Sequence, residues 1–361
     1  MKIVRIIGAL PIGGAENMLL SSAGWLQNCG LAETLVVNIS GQGDKQQEFK
    51  HAGIPVACLG NSHNCTKTHR FDITLKLRSL LKRYRPDIIH THLFPDNHFG
   101  CLASIGLKRP TITHVHNTVS DAKERLRHTA INYVLASQTD LFLNVSAAVK
   151  NYTDKKLNFR NKPSKILYNA FDPAQTNVAA RLMFPAECKV IVQVGAMVES
   201  KNHINTIEAF AALSKRCPQA RLLLVGDGPL KARLQQMMRC LALENLVKFT
   251  GWQSNVFPYL KAAHIFVMPS LHEGFPNAAL EAMACGLPLV VSHNVPSLEI
   301  AQDSALVCDI NADSIAEKLL LLLQDKALHQ QLSAKAQEIS AGFHLDNYCR
   351  ALLNIYRQLL A

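Results

Sequence analysis

Short apolar runs, each bounded by glycine, proline or polar clusters, recur along the whole chain and alternate with stretches whose apolar residues follow helical spacing. In the first half the runs that predict strands are Lys2–Gly8, Thr34–Ser40, Ile54–Gly60, Asp87–Leu93, Thr111–His116 and Leu141–Ser146. Helices are predicted between them at Ala15–Cys29, Asp72–Tyr84, Ala122–Ser137 and Ala147–Lys155. The second half repeats the pattern, with strands at Val190–Ala196, Ala220–Gly226, Val247–Gly251, His264–Ser270, Leu287–Ser292 and Ala305–Asp309. Its helices are expected at His203–Arg216, Leu230–Leu241, Val256–Lys261, Asn277–Cys285, Ser314–Leu323 and Leu345–Leu360. Near-continuous apolar strands separated by helices must be covered on both faces, which calls for parallel sheets. Two such series in tandem predict two doubly wound, Rossmann-like α/β domains.

A length of 361 residues suits two cores rather than one. The pattern breaks near residues 170–186, around Asp172-Pro173 and Pro185, which sets domains at 1–172 and 173–345 and a last helix at 346–361. Open parallel sheets bind ligands beyond the C-terminal ends of their strands, so a cleft between two facing domains is the expected site.

The amino-terminal segment carries Arg5 and a Pro11–Gly13–Gly14 break, so it reads as a first strand rather than a signal peptide. No apolar run reaches the length of a membrane span. The ten cysteines form no Cys-x-x-Cys and mostly sit in apolar segments, which favours reduced thiols and a cytoplasmic location. The net charge of +11 is uneven: residues 1–170 hold 22 Lys and Arg against 11 Asp and Glu, so the whole excess lies in the first half. A basic half suits an anionic membrane surface or a polyanionic substrate. Nucleic acid is disfavoured, because the basic residues are not interleaved with stacking aromatics.

Three segments carry candidate chemistry. Pro11-Ile12-Gly13-Gly14-Ala15-Glu16 follows the first strand and opens a helix, where glycines admit a ligand close to the backbone and helix amides favour an anion. It matches neither the dinucleotide nor the P-loop fingerprint. Val194-Gly195-Ala196-Met197-Val198-Glu199-Ser200-Lys201-Asn202 places a glycine at a strand end and a lysine entering a helix, a pairing suited to a diphosphate. The most specific is His272-Glu273-Gly274-Phe275-Pro276-Asn277 running on to Glu281 and Gly286. There Asn277 is expected to cap a helix that Gly286 ends. Glu273 and Glu281 then flank the start of that helix, and carboxylates beside a bound anion need donors of their own, which sugar hydroxyls supply.

From Val194 to Glu299 the chain resembles the retaining nucleotide-sugar glycosyltransferases of GT-B architecture, glycosyltransferase family 4 in particular. The resemblance rests on Val-Gly-x-x-x-x-x-Lys-Asn at 194–202, Leu-Leu-Val-Gly-Asp-Gly-Pro at 223–229, Phe-Thr-Gly-Trp at 249–252 and Glu-x7-Glu at 273–281. It extends more weakly to Gly13-Gly14-Ala15-Glu16, Val115-His116-Asn117-Thr118 and Tyr168-Asn169-Ala170-Phe171-Asp172. It implies a donor site in which Glu281 holds the ribose, Glu273 the hydroxyls of the transferred sugar, and the backbone of Gly274, Phe275, Pro276 and Asn277 the sugar and phosphate. Lys201, Gly195 and the Gly13–Gly14 turn would neutralise the diphosphate, Trp252 would lie against the base, and His116 would approach the sugar from the first domain. Glu273, His116 and Lys201 are the expected catalytic residues. The last helix is expected to pack back towards the first domain.

One departure stands out: Ala196 occupies a position where the family often carries arginine, leaving one fixed charge fewer. The chain also has no Asp-x-Asp, which with Lys201 predicts transfer without a metal or other cofactor. His90, His92 and His114 alternate like metal ligands but lack a carboxylate or cysteine complement, so no metal site is expected. The expected donor is a UDP-sugar and the expected acceptor a lipid-linked or glycan molecule. The enzyme would lie on the inner face of the cell membrane, through basic residues such as Lys76, Arg78, Lys82, Arg83, Arg85, Lys123, Arg125 and Arg127. A sugar-nucleotide epimerase or phosphorylase of the same architecture, or a non-catalytic nucleotide-sugar-binding protein, remain the alternatives.

Overall fold

Residues 1–60, 67–93, 97–118, 129–158 and 160–361 are described by a computed structural model, and they divide into two units. Met1–Asn169 together with Leu345–Ala361 form the first, and Ala170–His344 the second.

The first unit contains β1 (Lys2–Ile7), β2 (Glu33–Asn38), β3 (Val56–Cys58), β4 (Ile88–His92), β5 (Thr111–Val115), β6 (Leu141–Asn144) and β7 (Ser164–Ile166). They form one parallel sheet in the order β3-β2-β1-β4-β5-β6-β7. The second unit contains β8 (Lys189–Val194), β9 (Ala220–Val225), β10 (Val247–Phe249), β11 (Ile265–Met268), β12 (Leu289–Ser292) and β13 (Ala305–Cys308). Their order is β10-β9-β8-β11-β12-β13, again parallel. Both sheets are thus doubly wound, as the alternation of strands and helices predicts. In each, the strand order reverses beside the first strand, between β1 and β4 and between β8 and β11. At such a switch point the following loops part to opposite faces and leave a crevice at the strand ends.

Burial explains why these runs are strands. Residues of β4, β5, β6, β11 and β12 are buried on both faces, so the strands read as continuous apolar or neutral runs rather than alternating ones. Each buried Val, Leu or Ile contributes about 1.5–3 kcal/mol through loss of hydrated apolar surface.

Every predicted strand is present, most of them shortened at their ends, while β2 and β8 begin one residue earlier, at Glu33 and Lys189. β7 has a single apolar residue, Ile166, at the sheet edge and gives no periodic signal. The helix Lys326–Ser340 was also unpredicted; it buries Leu332, Ala336 and Ser340, too small a stripe for helical periodicity to register. The helix Asn97–Ser104 is hidden by Gly100, whose presence reads as a break. A Cβ there would lie 2.2 Å from Thr91 Cγ2, so the glycine lets this helix rest directly on β4. Of the predicted helix Ala122–Ser137, Thr129–Gln138 is helical; residues 122–128, with Lys123, Arg125 and Arg127, lie outside the described residues.

The helix Leu345–Leu360 buries Tyr348, Cys349, Leu352, Leu353, Ile355 and Tyr356 within the first unit. Trp25, on the helix Gly14–Asn28, donates from Nε1 to Asp346 Oδ1 at 3.2 Å. Within the second unit, the two ends of its chain meet: Phe171 pairs with His344, and the Phe171 amide donates to Phe343 O at 3.1 Å. Among the described residues, no helix is long and apolar enough to cross a membrane.

Candidate active site

The second unit gathers its chemistry at the β8/β11 switch point. Because those strands are neighbours, the loops that follow them run side by side. Leu271 N donates to Ser200 O at 2.8 Å, and Asn202 Nδ2 to Pro269 O at 3.0 Å. Gln193 Nε2 holds Lys201 O at 2.8 Å. Asn202 follows the short turn Glu199–Lys201 in a left-handed conformation, φ 55°, which aims the turn back over the strand end. Lys201 Nζ then lies 2.5 Å from Glu273 Oε1, both side chains mostly withdrawn from solvent at 21% and 10% exposure. An ammonium has three donors, so one bond to Glu273 leaves two for phosphate oxygens.

Gly195 ends β8 with the Lys201 stem beside it. Gly226, at the end of β9, has φ +144° and approaches so closely that a Cβ would fall 2.0 Å from Gly195 O. Only glycine satisfies both requirements, and it brings the two strand-end loops into backbone contact. Gly274, Phe275 and Pro276 are buried in the loop leading to the helix Asn277–Ala284. Asn277 is the first residue of that helix and not its cap. The capping position belongs to Pro276, whose extended backbone (ψ 115°) supplies the non-helical entry residue. No side chain caps from Pro276, and Gly286, at φ +72°, ends the helix as predicted.

Glu281 lies on this helix, partly buried and, among the described residues, in no ion pair. Burial alone pushes its carboxyl up to about 7. Such a group gains from hydrogen-bond donors brought to it. Trp252 stands apart, 41% exposed, after β10 on the outer edge of the sheet and two strands away from β8. Ala196 is exposed beside Gly195.

In the first unit, Gly13 precedes the helix Gly14–Asn28 in extended conformation, and no side chain caps from it. A Cβ on Gly13 would lie 2.3 Å from Glu16 Oε2, so the carboxylate folds back over the turn. Glu16 is buried and its carboxyl is raised by desolvation, with the Lys45 charge opposing the rise. Lys45, itself buried, pairs with Glu48 at 2.7 Å. Its loop is tied to the first by Leu10 N to Gln42 O at 2.9 Å and Lys45 N to Leu10 O at 3.2 Å. Nothing in the sequence marks Lys45, since its role comes from the adjacency of β1 and β2.

His116 closes a stack of four buried histidines. His90 and His92 alternate on β4, His114 lies on β5, and His116 follows it. Ring centroids are 4.2 Å apart for His90–His92 and for His114–His116, and His92 Nδ1 is 3.3 Å from His116 Nε2. Burial depresses all four: His116 falls to about 4, and the other three well below the usual histidine range. Ligand atoms of His90, His92 and His114 lie within 4.8 Å of one another. The set suits a cation poorly. Rings stack rather than turn their nitrogens to one point, and the neighbouring buried charge is Arg5, a guanidinium.

The two units have counterparts among known proteins. The family model described as Glycosyl transferases group 1 matches residues 175–339, and the one described as Glycosyltransferase Family 4 matches residues 12–175. An uncharacterized glycosyltransferase of Haemophilus influenzae is 26% identical over 92% of this chain and 93% of its own. The lipopolysaccharide core biosynthesis glycosyltransferase LpsD of Rhizobium meliloti is 36% identical over 46% of this chain and 48% of its own. The crystal structure of Anabaena HepE in complex with UDP and glucose superposes with a TM-score of 0.85 over 99% of each chain, at 20% identity.

Proposed function

The chain belongs to glycosyltransferase family 4, with the two parallel sheets of the GT-B fold, and on that footing we propose that it is a retaining, metal-independent hexosyltransferase. It moves a hexose or N-acetylhexosamine from a UDP-sugar to a lipid-linked, lipopolysaccharide or capsule glycan acceptor. The observation that carries this reading is the meeting of Lys201 and Glu273 at the β8/β11 switch point, ahead of the helix that bears Glu281. A diphosphate needs the cation and helix amides, and the attached sugar needs carboxylate acceptors for its hydroxyls.

In this mechanism Lys201 and the amides after Glu273 take up the charge that develops on the leaving diphosphate. Glu273 orients the transferred sugar through its hydroxyls and is not a covalent nucleophile. Glu281 accepts from the ribose, Trp252 lies against the base, and the Gly13–Gly14 turn contributes to diphosphate binding. Retention follows from attack on the same face as departure, the leaving phosphate receiving the acceptor proton. His116 meets the sugar as an uncharged imidazole, in keeping with its depressed basicity. A UDP donor is supported by HepE, whose structure holds UDP and glucose, and a lipopolysaccharide-type acceptor by the role of LpsD.

The first unit takes the acceptor and holds the enzyme at the cytoplasmic face of the membrane. Its helix Lys67–Tyr84 exposes Phe71 (69%) and Leu75 (50%) together with Lys76, Lys82 and Arg83. Arg78 ties this helix to the next by donating to Ala103 O at 3.0 Å and Ile105 O at 2.5 Å, where Leu102 and Ile105 are also exposed. Apolar side chains among cations are what an anionic lipid surface binds.

The deciding experiment is a donor panel. Purified protein in EDTA is incubated with UDP-, GDP- and TDP-sugars, with and without a bacterial lipid extract, and nucleotide release is followed. UDP release that needs the extract and vanishes in Glu281→Ala supports the proposal. UDP binding without any turnover overturns it in favour of a binding protein.

A further inference from the structure

Arg5 lies in the middle of β1, 1% exposed. Among the described residues no carboxylate pairs with it. Its Nη1 donates to Ser22 Oγ at 2.6 Å and Leu19 O at 3.3 Å, its Nη2 to the Tyr356 hydroxyl at 3.1 Å, and its Nε has no partner. An isolated cation in a dry core costs several kcal/mol, so a merely structural site would be better served by an apolar residue. Arg5 is the register partner of His90 across the β1/β4 pair, which puts both side chains on the same face of the sheet. His92 in turn pairs with His114 across β4/β5.

The link is the Tyr356 hydroxyl, 2.7 Å from His90 Nδ1. Arg5 can only donate, so the tyrosine oxygen accepts from it. The hydroxyl proton is then given to His90 Nδ1 as acceptor, and His90 carries its proton on Nε2, which is buried without a hydrogen-bond partner. A second proton, at Nδ1, would confront the hydroxyl with two donors and strand its own hydrogen in the core. From His90 the stack continues through His92 to His116.

We infer that Arg5 and Tyr356 are positioning residues that lock His90 as a neutral Nε2–H tautomer and exclude a proton from the whole histidine stack, so that His116 is presented to the substrate uncharged. The last clause rests on the transferase reading; the lock itself does not. Among the described residues, the charged and titratable groups facing the stack are few. They are Arg5 from β1, the four histidines, and Tyr348, Cys349 and Tyr356 from the helix Leu345–Leu360. The nearest acid on that helix, Asp346, is engaged at the surface by Arg350 and Trp25. Among the described residues nothing anionic therefore invites a proton in, and Arg5 repels one from His90, His92 and His114 alike.

The test is ring-nitrogen NMR on the full chain, labelled at histidine and titrated from about pH 8 to about pH 5.5, a range that protonates ordinary histidines. His90, assigned by its loss in His90→Gln, is expected to show a bare Nδ1 and a protonated Nε2 throughout. In Tyr356→Phe a proton should appear at Nδ1, and in Arg5→Met at least one stacked ring should titrate within the range. Arg5→Lys should behave as the parent does. A parent His90 protonated at Nδ1, or one that titrates, overturns the inference. So do Tyr356→Phe and Arg5→Met spectra unchanged from the parent. Should Arg5→Met not fold, the parent and Tyr356→Phe spectra still decide. None of these readouts needs turnover, so a silent donor panel would defeat the transferase reading and leave the lock standing.

Discussion

Lys201 Nζ and Glu273 Oε1 lie 2.5 Å apart although 72 positions separate them in the chain. The contact joins the ends of β8 and β11, and it makes each charge the partner of the other in a largely buried place. Lys201→Met should therefore lose turnover by about 100- to 1,000-fold, the range for removing one fixed charge from a developing anion. It should also destabilise, because Glu273 is left without its cation. Adding Glu273→Gln should restore melting temperature but not activity, which separates the two roles in thermal scans and rate assays. Intact mass spectrometry of the parent during turnover should show no sugar adduct on Glu273.

Glu281 should make stability fall as pH rises. Its carboxyl is raised from 4.5 to about 7, so across that window the folded chain keeps a proton that the unfolded chain has released. Stabilisation present below about pH 4.5 is lost by about pH 7. Glu281→Gln should accordingly unfold later than the parent at pH 8, by about 1–3 kcal/mol in denaturant titrations, and match it near pH 4.5. UDP-sugar affinity should move the other way, improving through pH 7 in the parent and staying flat in Glu281→Gln.

The buried histidines impose an acid limit. His116 and His203 fall to about 4 in the folded chain, and His90, His92 and His114 lie well below 6.5. Unfolded, each takes a proton near pH 6.5, so stability is full above that and is lost as pH falls, by about 1.4 kcal/mol per histidine per unit. Melting temperature should drop steeply from pH 6.5 to pH 5, and less steeply in His203→Leu.

Two glycines in helices should respond oppositely to alanine. At Gly100 the new methyl meets Thr91 Cγ2 at 2.2 Å, and Gly100→Ala should cost about 1–3 kcal/mol. At Gly24, inside the helix Gly14–Asn28, nothing lies within 4 Å, and Gly24→Ala should gain up to about 1 kcal/mol. Chemical denaturation of the two variants decides.

Membrane association, if it uses the helix Lys67–Tyr84, should need both kinds of side chain. Flotation with vesicles containing anionic lipid should fall severalfold in Phe71→Ser/Leu75→Ser and, separately, in Lys82→Ala/Arg83→Ala. Salt should abolish the contribution of the second pair only. Equal flotation with neutral vesicles would remove the charge argument.

The sequence states the sheets well because buried parallel strands need apolar runs, and these survive as local signals. Helix termini are less legible: Asn277 looks like a cap, yet the proline before it already takes that place. The segment from Glu273 to Glu281 stands out in the sequence as a candidate site because its glycine, proline and acids lie close together. Lys201 meeting Glu273 was not, since it depends on β8 lying next to β11, a fact of strand order. His90 and His92 visibly share a face, but their partners do not announce themselves. Arg5 comes opposite His90 through register, and Tyr356 arrives from 266 positions further along.

That last arrival orders events on the ribosome. Tyr356 belongs to a helix synthesised after the whole of Ala170–His344, yet it completes the core of the unit that begins the chain. The second unit can close as soon as its own residues emerge, whereas the first waits for the helix Leu345–Leu360 with Arg5 held by Ser22 and Leu19 alone. The half translated first is thus the half finished last, and a nascent chain interrupted before residue 345 leaves the Arg5 guanidinium and the His90 imidazole without the tyrosine they share.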